Sequence, residues 1–137
     1  MVDKLILSNP AKSSNRYSVT QEEIDDILAN ELKNYVFPVK PLYNSRIKDN
    51  GRTIAEMYRW GQLKKIKSIE IGKQDQPDRA FLIDTLLHEY YEAEILEMQF
   101  MDDFYKSLAR PDSKRHAWID AQIELLFSEK ETEDELG

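Results

Sequence analysis

The chain has no cysteine among its 137 residues, and it has only two histidines, His88 and His116. The absence of cysteine excludes a disulfide scaffold, a thiolate zinc site and a thiol nucleophile. No apolar run approaches the roughly 18 residues that cross a bilayer, and the short apolar cluster near the start lacks the hydrophobic region of a signal peptide. We therefore expect a cytoplasmic protein that has no membrane partner.

Positive charge is also scarce, because 26 acidic residues outnumber 19 basic ones and give a formal charge of −7. An acidic surface repels the phosphate backbone, so we expect no binding to double-stranded DNA. Hydrophobic residues make up 41% of the chain, which is enough for one core. The sequence predicts an irregular segment over 1–19, a single domain over 20–128 and an acidic, disordered tail over 129–137.

The first half of the chain predicts one helix followed by a small sheet. Apolar residues at helical spacing indicate a helix over about 21–35, with Thr20 as its N-cap and Glu23 completing a capping box. Asn50-Gly51 is typical of a type I′ hairpin turn, which would join the first two of three short antiparallel strands. These strands are predicted over 43–48, 52–57 and 65–72.

The second half predicts helices only. Asp78 is a suitable N-cap for a long central helix over about 79–105, which is apolar around most of its circumference and is therefore expected to be buried on several sides. Pro111 ends this region, and Asp112 or Ser113 caps a last helix. The order of helix, three strands, long helix and helix is that of an α+β fold.

The central helix carries the pattern His88-Glu89-x-x-Glu92. Residues four apart lie on one face of a helix, so His88 and Glu92 can bind one metal ion, Zn²⁺ or another divalent cation. Glu89 lies around the axis from them and is predicted to act as general base on a metal-bound water. His116, near the start of the last helix, is placed to complete a His-Glu-His set. Asp120, one turn further on, is predicted to orient His116 or to bind the ion itself.

A resemblance to a known group rests on two segments. Ile69-Glu70-Ile71, a polar loop and then the run 83–89, Ile-Asp-Thr-Leu-Leu-His-Glu, resemble the core of minimal zincin metallopeptidases of the SprT-like and ImmA/IrrE-like groups. Gly51-Arg52-Thr53 also resembles the SprT-like pattern. The resemblance covers about 20–128, and compact domains of this kind are similar to small proteins of phages and bacterial mobile elements.

The resemblance implies a zinc peptidase acting on a peptide or protein, with a small antiparallel sheet packed on the active-site helix and an edge strand that pairs with the substrate. It implies that His88 is the first ligand and Glu89 the catalytic base. Glu92 stands where these groups have their second histidine, and this departure puts peptidase activity in question. His116 is a candidate for the third ligand because of its expected position in the fold, and not because it matches a motif of these groups.

Two other functions fit the same residues. A metal-independent nuclease of the barnase or colicin type would use His88 and His116 as acid and base, with Arg52 or Lys64 holding phosphate, although such domains need a sheet after their helices. A catalytically inactive interaction module would use aromatic residues as contacts, and Trp60 beside Arg59 is the best candidate for an exposed one. Tyr90, Tyr91 and Trp118 would then be interface or core residues, and aromatic residues at helical spacing are more often core. Without a metal site, Glu92 and Glu94 would be a solvated helix face.

Overall fold

A computed structural model describes residues 18–76 and 78–136 of the chain, with side chains described as far as Phe127. The predicted irregular segment over 1–19 therefore lies outside the described residues, apart from its last two. The elements in chain order are α1 (Gln21–Ala29), β1 (Pro41–Tyr43), β2 (Gly51–Met57), β3 (Leu63–Ile71), α2 (Arg79–Met98), α3 (Asp103–Ala109) and α4 (Asp112–Leu136). Helices and a three-stranded sheet in this order confirm the α+β class.

The sheet has the order β1-β3-β2, with β3 in the centre. β2 pairs with β3 in the antiparallel sense, whereas β1 is parallel to β3, with Pro41 opposite Ile69. The prediction of a purely antiparallel sheet is thus wrong for β1. This strand also ends at Tyr43 instead of extending to 48, because the Asn44 side-chain oxygen accepts a hydrogen bond from the Arg46 amide at 3.0 Å and turns the chain.

Asn50 and Gly51 do not form the predicted hairpin turn. Gly61 is the only described residue with positive φ, whereas a type I′ turn needs positive φ at both of its central residues. The Asn50 carbonyl accepts hydrogen bonds from the Gly72 amide at 2.9 Å and from Gln74 at 2.8 Å. Its side-chain oxygen accepts a hydrogen bond from the Asp75 amide at 2.9 Å. Asn50 therefore joins the start of β2 to the chain that leaves β3.

The hairpin of the sheet lies instead between β2 and β3. The Tyr58 amide donates to the Gln62 carbonyl at 2.7 Å, and the Gly61 amide donates to the Tyr58 carbonyl at 2.8 Å. Gly61 has φ of 80°, a conformation that costs glycine little and other residues much more. The prediction of a turn at Gly61 is confirmed.

Helix α1 begins as predicted but ends early. The Thr20 side chain accepts a hydrogen bond from the Glu23 amide at 3.1 Å, which confirms Thr20 as the N-cap. The helix ends at Ala29 and not near 35. The Asn30 side chain donates a hydrogen bond to the Asp26 carbonyl at 2.8 Å, and such a bond from side chain to backbone competes with continuation of the helix. Leu32 lies in the turn that follows and is still fully buried.

The helices after the sheet are divided differently from the prediction. Asp78 caps α2 by accepting from the Phe81 amide at 2.7 Å, as predicted. However, α2 ends at Met98 and does not reach 105, because the Asp102 side chain accepts from the Phe104 amide at 2.8 Å and begins a new helix, α3. α4 starts at Asp112 and follows a helical path through the segment predicted as a disordered tail, and that disorder stays a prediction.

One hydrophobic core joins the sheet and the helices. β3 contributes Ile69 and Ile71, α2 contributes Leu86 and Leu87, and α4 contributes Ile119, all of them fully buried. α2 therefore packs against both the sheet and α4. Polar residues of β2, α2 and α4 line the place where these elements meet. None of the helices in the described ranges is long and apolar enough to span a bilayer.

Candidate metal centre

The structure brings the three predicted metal ligands together. His88 and Glu92 lie one turn apart on α2, and His116 lies in the first turns of α4. Each offers one ligand atom, and these atoms lie within 4.8 Å of one another. The imidazole rings of His88 and His116 are 5.4 Å apart between centroids. A tetrahedral zinc with ligands at ~2.1 Å places them ~3.4 Å apart, so small side-chain rotations would bring the three onto one ion.

Glu89 lies beside this cluster and is 5% exposed. Its Oε1 accepts a hydrogen bond from the Thr53 hydroxyl of β2 at 2.9 Å, and its Oε2 lies 3.4 Å from His88 Nδ1. Gly51 makes room for this carboxylate, because a Cβ at that position would come within 3.1 Å of Glu89 Cγ. The strand β2 thus holds Glu89 next to the cluster in a fixed orientation.

Sequence reasoning did not find Arg115, which contacts the cluster from α4. Its Nε lies 2.6 Å from Glu92 Oε1, as an ion pair without the alignment of a hydrogen bond. Its other nitrogens donate to the Ala109 carbonyl at 2.7 Å and to Asp112 Oδ1 at 2.8 Å. Arg115 therefore ties α2 to the junction of α3 and α4. Its position next to His116 was the one signal in the sequence that could have suggested a role at the site.

The local electrostatics follow from burial and from these contacts. Burial raises the pKa of the Glu92 carboxyl, while the Arg115 guanidinium opposes that change. The contact with Glu89 raises the pKa of His88, although burial acts in the other direction. Glu92 and Glu89 thus make the surroundings of His88 favourable for positive charge, which is the condition a divalent cation needs.

Asp120 lies near the centre but is not bonded to the histidine it was predicted to orient. No hydrogen bond joins Asp120 to His116 among the described contacts, and Asp120 is exposed. Its charge acts on Asp84, one turn before His88, and on His88 itself. Burial raises the pKa of Asp84, the charge of His88 opposes that change, and Asp120 adds a smaller increase. The role of Asp120 in holding His116 or an ion stays a prediction.

The cluster opens into a cleft of about 740 Å³ between β2, α2 and α4. The start of β2 forms one wall through residues 51–53, and α2 forms the floor. Since β2 is an edge strand, this wall offers backbone groups that are not used within the sheet. The cleft is large enough to admit a short stretch of extended chain beside the three ligand side chains.

Comparison of the chain with models of known protein families, with curated proteins and with solved structures gives no match. The resemblance to minimal zincins therefore remains a prediction from the short segments that carry it. Function must accordingly be argued from the residues of the site and their geometry.

Proposed function

We propose that this protein is a metal-dependent hydrolase of the zincin type that acts on peptide bonds. Zinc, or another divalent cation, would be held by His88, Glu92 and His116, and Glu89 would be the general base. The observation that carries the proposal is the convergence of the only two histidines of the chain with one carboxylate. Two histidines and one glutamate, with a fourth position for water, form a known catalytic zinc set.

The residues present fit such chemistry. When bound, zinc acts as a Lewis acid and lowers the pKa of a coordinated water. Glu89 is the group placed to accept the proton of that water, because it is adjacent to His88 and outside the three-residue cluster. The hydroxyl of Thr53 fixes one oxygen of the Glu89 carboxylate. A base held in this way needs little reorganisation when the proton is transferred.

The edge of the sheet supports a peptide as the substrate. β2 leaves one side unpaired, and its first residues, 51–53, line the cleft beside Glu89. An extended peptide can add to such an edge through main-chain hydrogen bonds, which favours binding without a fixed side-chain sequence. The scissile bond would then lie across the ligand cluster.

Zinc titration of purified protein tests the metal site. We expect one zinc per chain for the wild type and an affinity at least ~100-fold lower for His116→Ala, because one of three protein ligands is lost. His116 is exposed, so this change should leave the fold intact. Glu97→Gln, which removes an exposed glutamate of α2, the helix that carries His88 and Glu92, is the control and should bind as the wild type does. Equal zinc affinity in His116→Ala and wild type would refute the proposed site.

The ion pair between Arg115 and Glu92 gives a second prediction. Loss of a residue that orients a ligand costs about 10–100-fold in metal affinity, so we expect that reduction for Arg115→Met and a smaller one for Arg115→Lys. Arg110→Met, which removes an exposed arginine just before α4, should have no effect. A rise in zinc affinity for Arg115→Met would mean that the guanidinium repels the ion more than it positions Glu92.

The nuclease alternative is distinguished by a chelator. Its acid and base would be the neighbouring rings of His88 and His116, and cleavage of RNA would persist after zinc is removed. After β3, the described chain forms helices joined by turns and no further strand, so the sheet that such nucleases need is absent from residues 72–76 and 78–136. An inactive interaction module would show neither peptide hydrolysis with zinc nor cleavage of RNA.

A further inference from the structure

The end of the β2–β3 hairpin, residues 57–67, exposes large side chains to water. Trp60 is 77% exposed, Tyr58 is 52% exposed and Met57 is 47% exposed. The guanidinium carbon of Arg59 lies 4.9 Å from the centroid of the Trp60 ring. Two exposed aromatic side chains two residues apart in the chain, one of them with a cation over its ring, indicate a contact surface and not a packing element.

The pairing of β2 with β3 gives this hairpin end an unusual arrangement of lysines. Ile54 pairs with Ser68 but Ala55 pairs with Ile66, and Glu56 pairs with Lys65 but Met57 pairs with Leu63. The residues of β3 left without a partner at these two irregularities are Lys67 and Lys64. A β-bulge redirects the side chain of its extra residue. Both lysines are exposed, so the two bulges direct positive charge outward.

The charge of the hairpin end is opposite to that of the chain. The hairpin end contains four cations, Arg59, Lys64, Lys65 and Lys67, and no carboxylate, although Glu56 directly precedes it, in a chain with a net charge of −7. At ~3.4 Å per residue, Lys64 and Lys67 lie about 10 Å apart along the strand. Arg59 thus lies at the Trp60 ring, and Lys64, Lys65 and Lys67 follow one another along β3 away from the turn. A line of charge matches a chain-like polyanion, whereas a bilayer surface is best matched by cations that surround an apolar tip.

We propose that the hairpin end binds single-stranded nucleic acid. Bases stack on Trp60 and Tyr58, and the phosphate backbone follows Arg59, Lys64 and Lys67. The faces of bases are available for stacking only when the strand is unpaired, so the two aromatic side chains favour a single strand over a duplex. The surface is separate from the candidate metal centre, because Met57 lies ~20 Å along β2 from Gly51.

Fluorescence anisotropy with a labelled oligothymidylate tests this inference. The oligonucleotide should be about 20 nucleotides long, which exceeds the ~16-nucleotide footprint of the larger single-strand binding sites. We expect binding at low salt, and a loss of about 5–150-fold in affinity for Trp60→Ala, the range found when one stacked base is lost. For the double variant K64Q/K67Q we expect weaker binding and a salt dependence reduced by about 1.4 in slope, at ~0.7 per phosphate contact.

The matched control is the double variant K106Q/K114Q, which removes two exposed lysines from α3 and α4. It should bind the oligonucleotide as the wild type does. Absence of binding at low salt, or equal weakening by K64Q/K67Q and K106Q/K114Q, would overturn the proposal. Binding to phosphatidylserine vesicles but not to the oligonucleotide would also overturn it and assign the surface to a bilayer. None of these readouts requires zinc, so failure here is distinguishable from failure of the hydrolase proposal.

Discussion

Replacing Arg79 by methionine is expected to destabilise the protein by about 3–5 kcal/mol, the cost of removing one partner from a buried ion pair. Arg79 is the first residue of α2 and is 6% exposed. Its Nε and Nη2 donate to the two carboxylate oxygens of Glu31, both at 2.8 Å. It also donates to Glu23 and, at 2.6 Å, to Asp26. Without the guanidinium, these three carboxylates face one another, and that of Glu31 is almost fully buried.

Urea unfolding measures this effect, and Arg52→Met is the matched control. Arg52 pairs with Glu70 at 2.7 Å, but its side chain is about half exposed to solvent, so its removal should cost no more than about 1 kcal/mol. The destabilisation caused by Arg79→Lys should lie between those of Arg79→Met and Arg52→Met, since an ammonium cannot donate to both oxygens of Glu31 as a planar guanidinium does. Because small domains have only about 5–15 kcal/mol of stability, Arg79→Met should shift the urea midpoint strongly. Equal midpoints for Arg79→Met and Arg52→Met would contradict this account of how α1 is held to α2.

Glu89→Gln is expected to separate metal binding from catalysis. The amide has the same shape, and its oxygen can still accept the hydrogen bond from Thr53, so zinc affinity and fold should be retained. The amide cannot accept a proton from water, and loss of a general base costs about 10²–10⁴-fold in rate. We therefore expect zinc-loaded Glu89→Gln to bind the metal normally and to lose nearly all hydrolysis of a mixture of quenched fluorescent peptides.

Glu97→Gln serves again as control, because it makes the same chemical change at an exposed position of α2. It should leave both zinc affinity and hydrolysis unchanged. If zinc-loaded wild type cleaves peptides and Glu89→Gln cleaves them at the same rate, Glu89 is not the base. If the zinc-loaded wild type cleaves no peptide in the mixture, the peptidase assignment fails while the metal site remains.

The sequence predicted those parts of the structure that depend on local spacing. Thr20 and Asp78 cap their helices as expected, because a cap is decided within three residues. The pairing of His88 with Glu92 on one helix face also follows from spacing alone. The prediction that His116 lies beside them needed one further inference, that the last helix folds back along the central one. The structure confirms that the three side chains come together.

The features that could not be predicted depend on contacts between distant residues. Asn50-Gly51 is a strong local hairpin signal, yet the backbone and side chain of Asn50 bind residues 72–75 instead. The partners of Arg79 lie 48 to 56 residues away in the chain. The same holds for Arg115, whose contact with Glu92 crosses between two helices. No local periodicity or turn rule contains such information, because tertiary contacts override local preference.

The most direct test of the central claim is a crystal structure of the zinc-loaded protein with anomalous diffraction at the zinc edge. We predict one strong anomalous peak at ~2.0–2.2 Å from a nitrogen of His88, a nitrogen of His116 and an oxygen of Glu92. Glu89 should lie beside the ion without coordinating it. An ion bound elsewhere, or a cleft that stays free of zinc at full loading, would contradict the account.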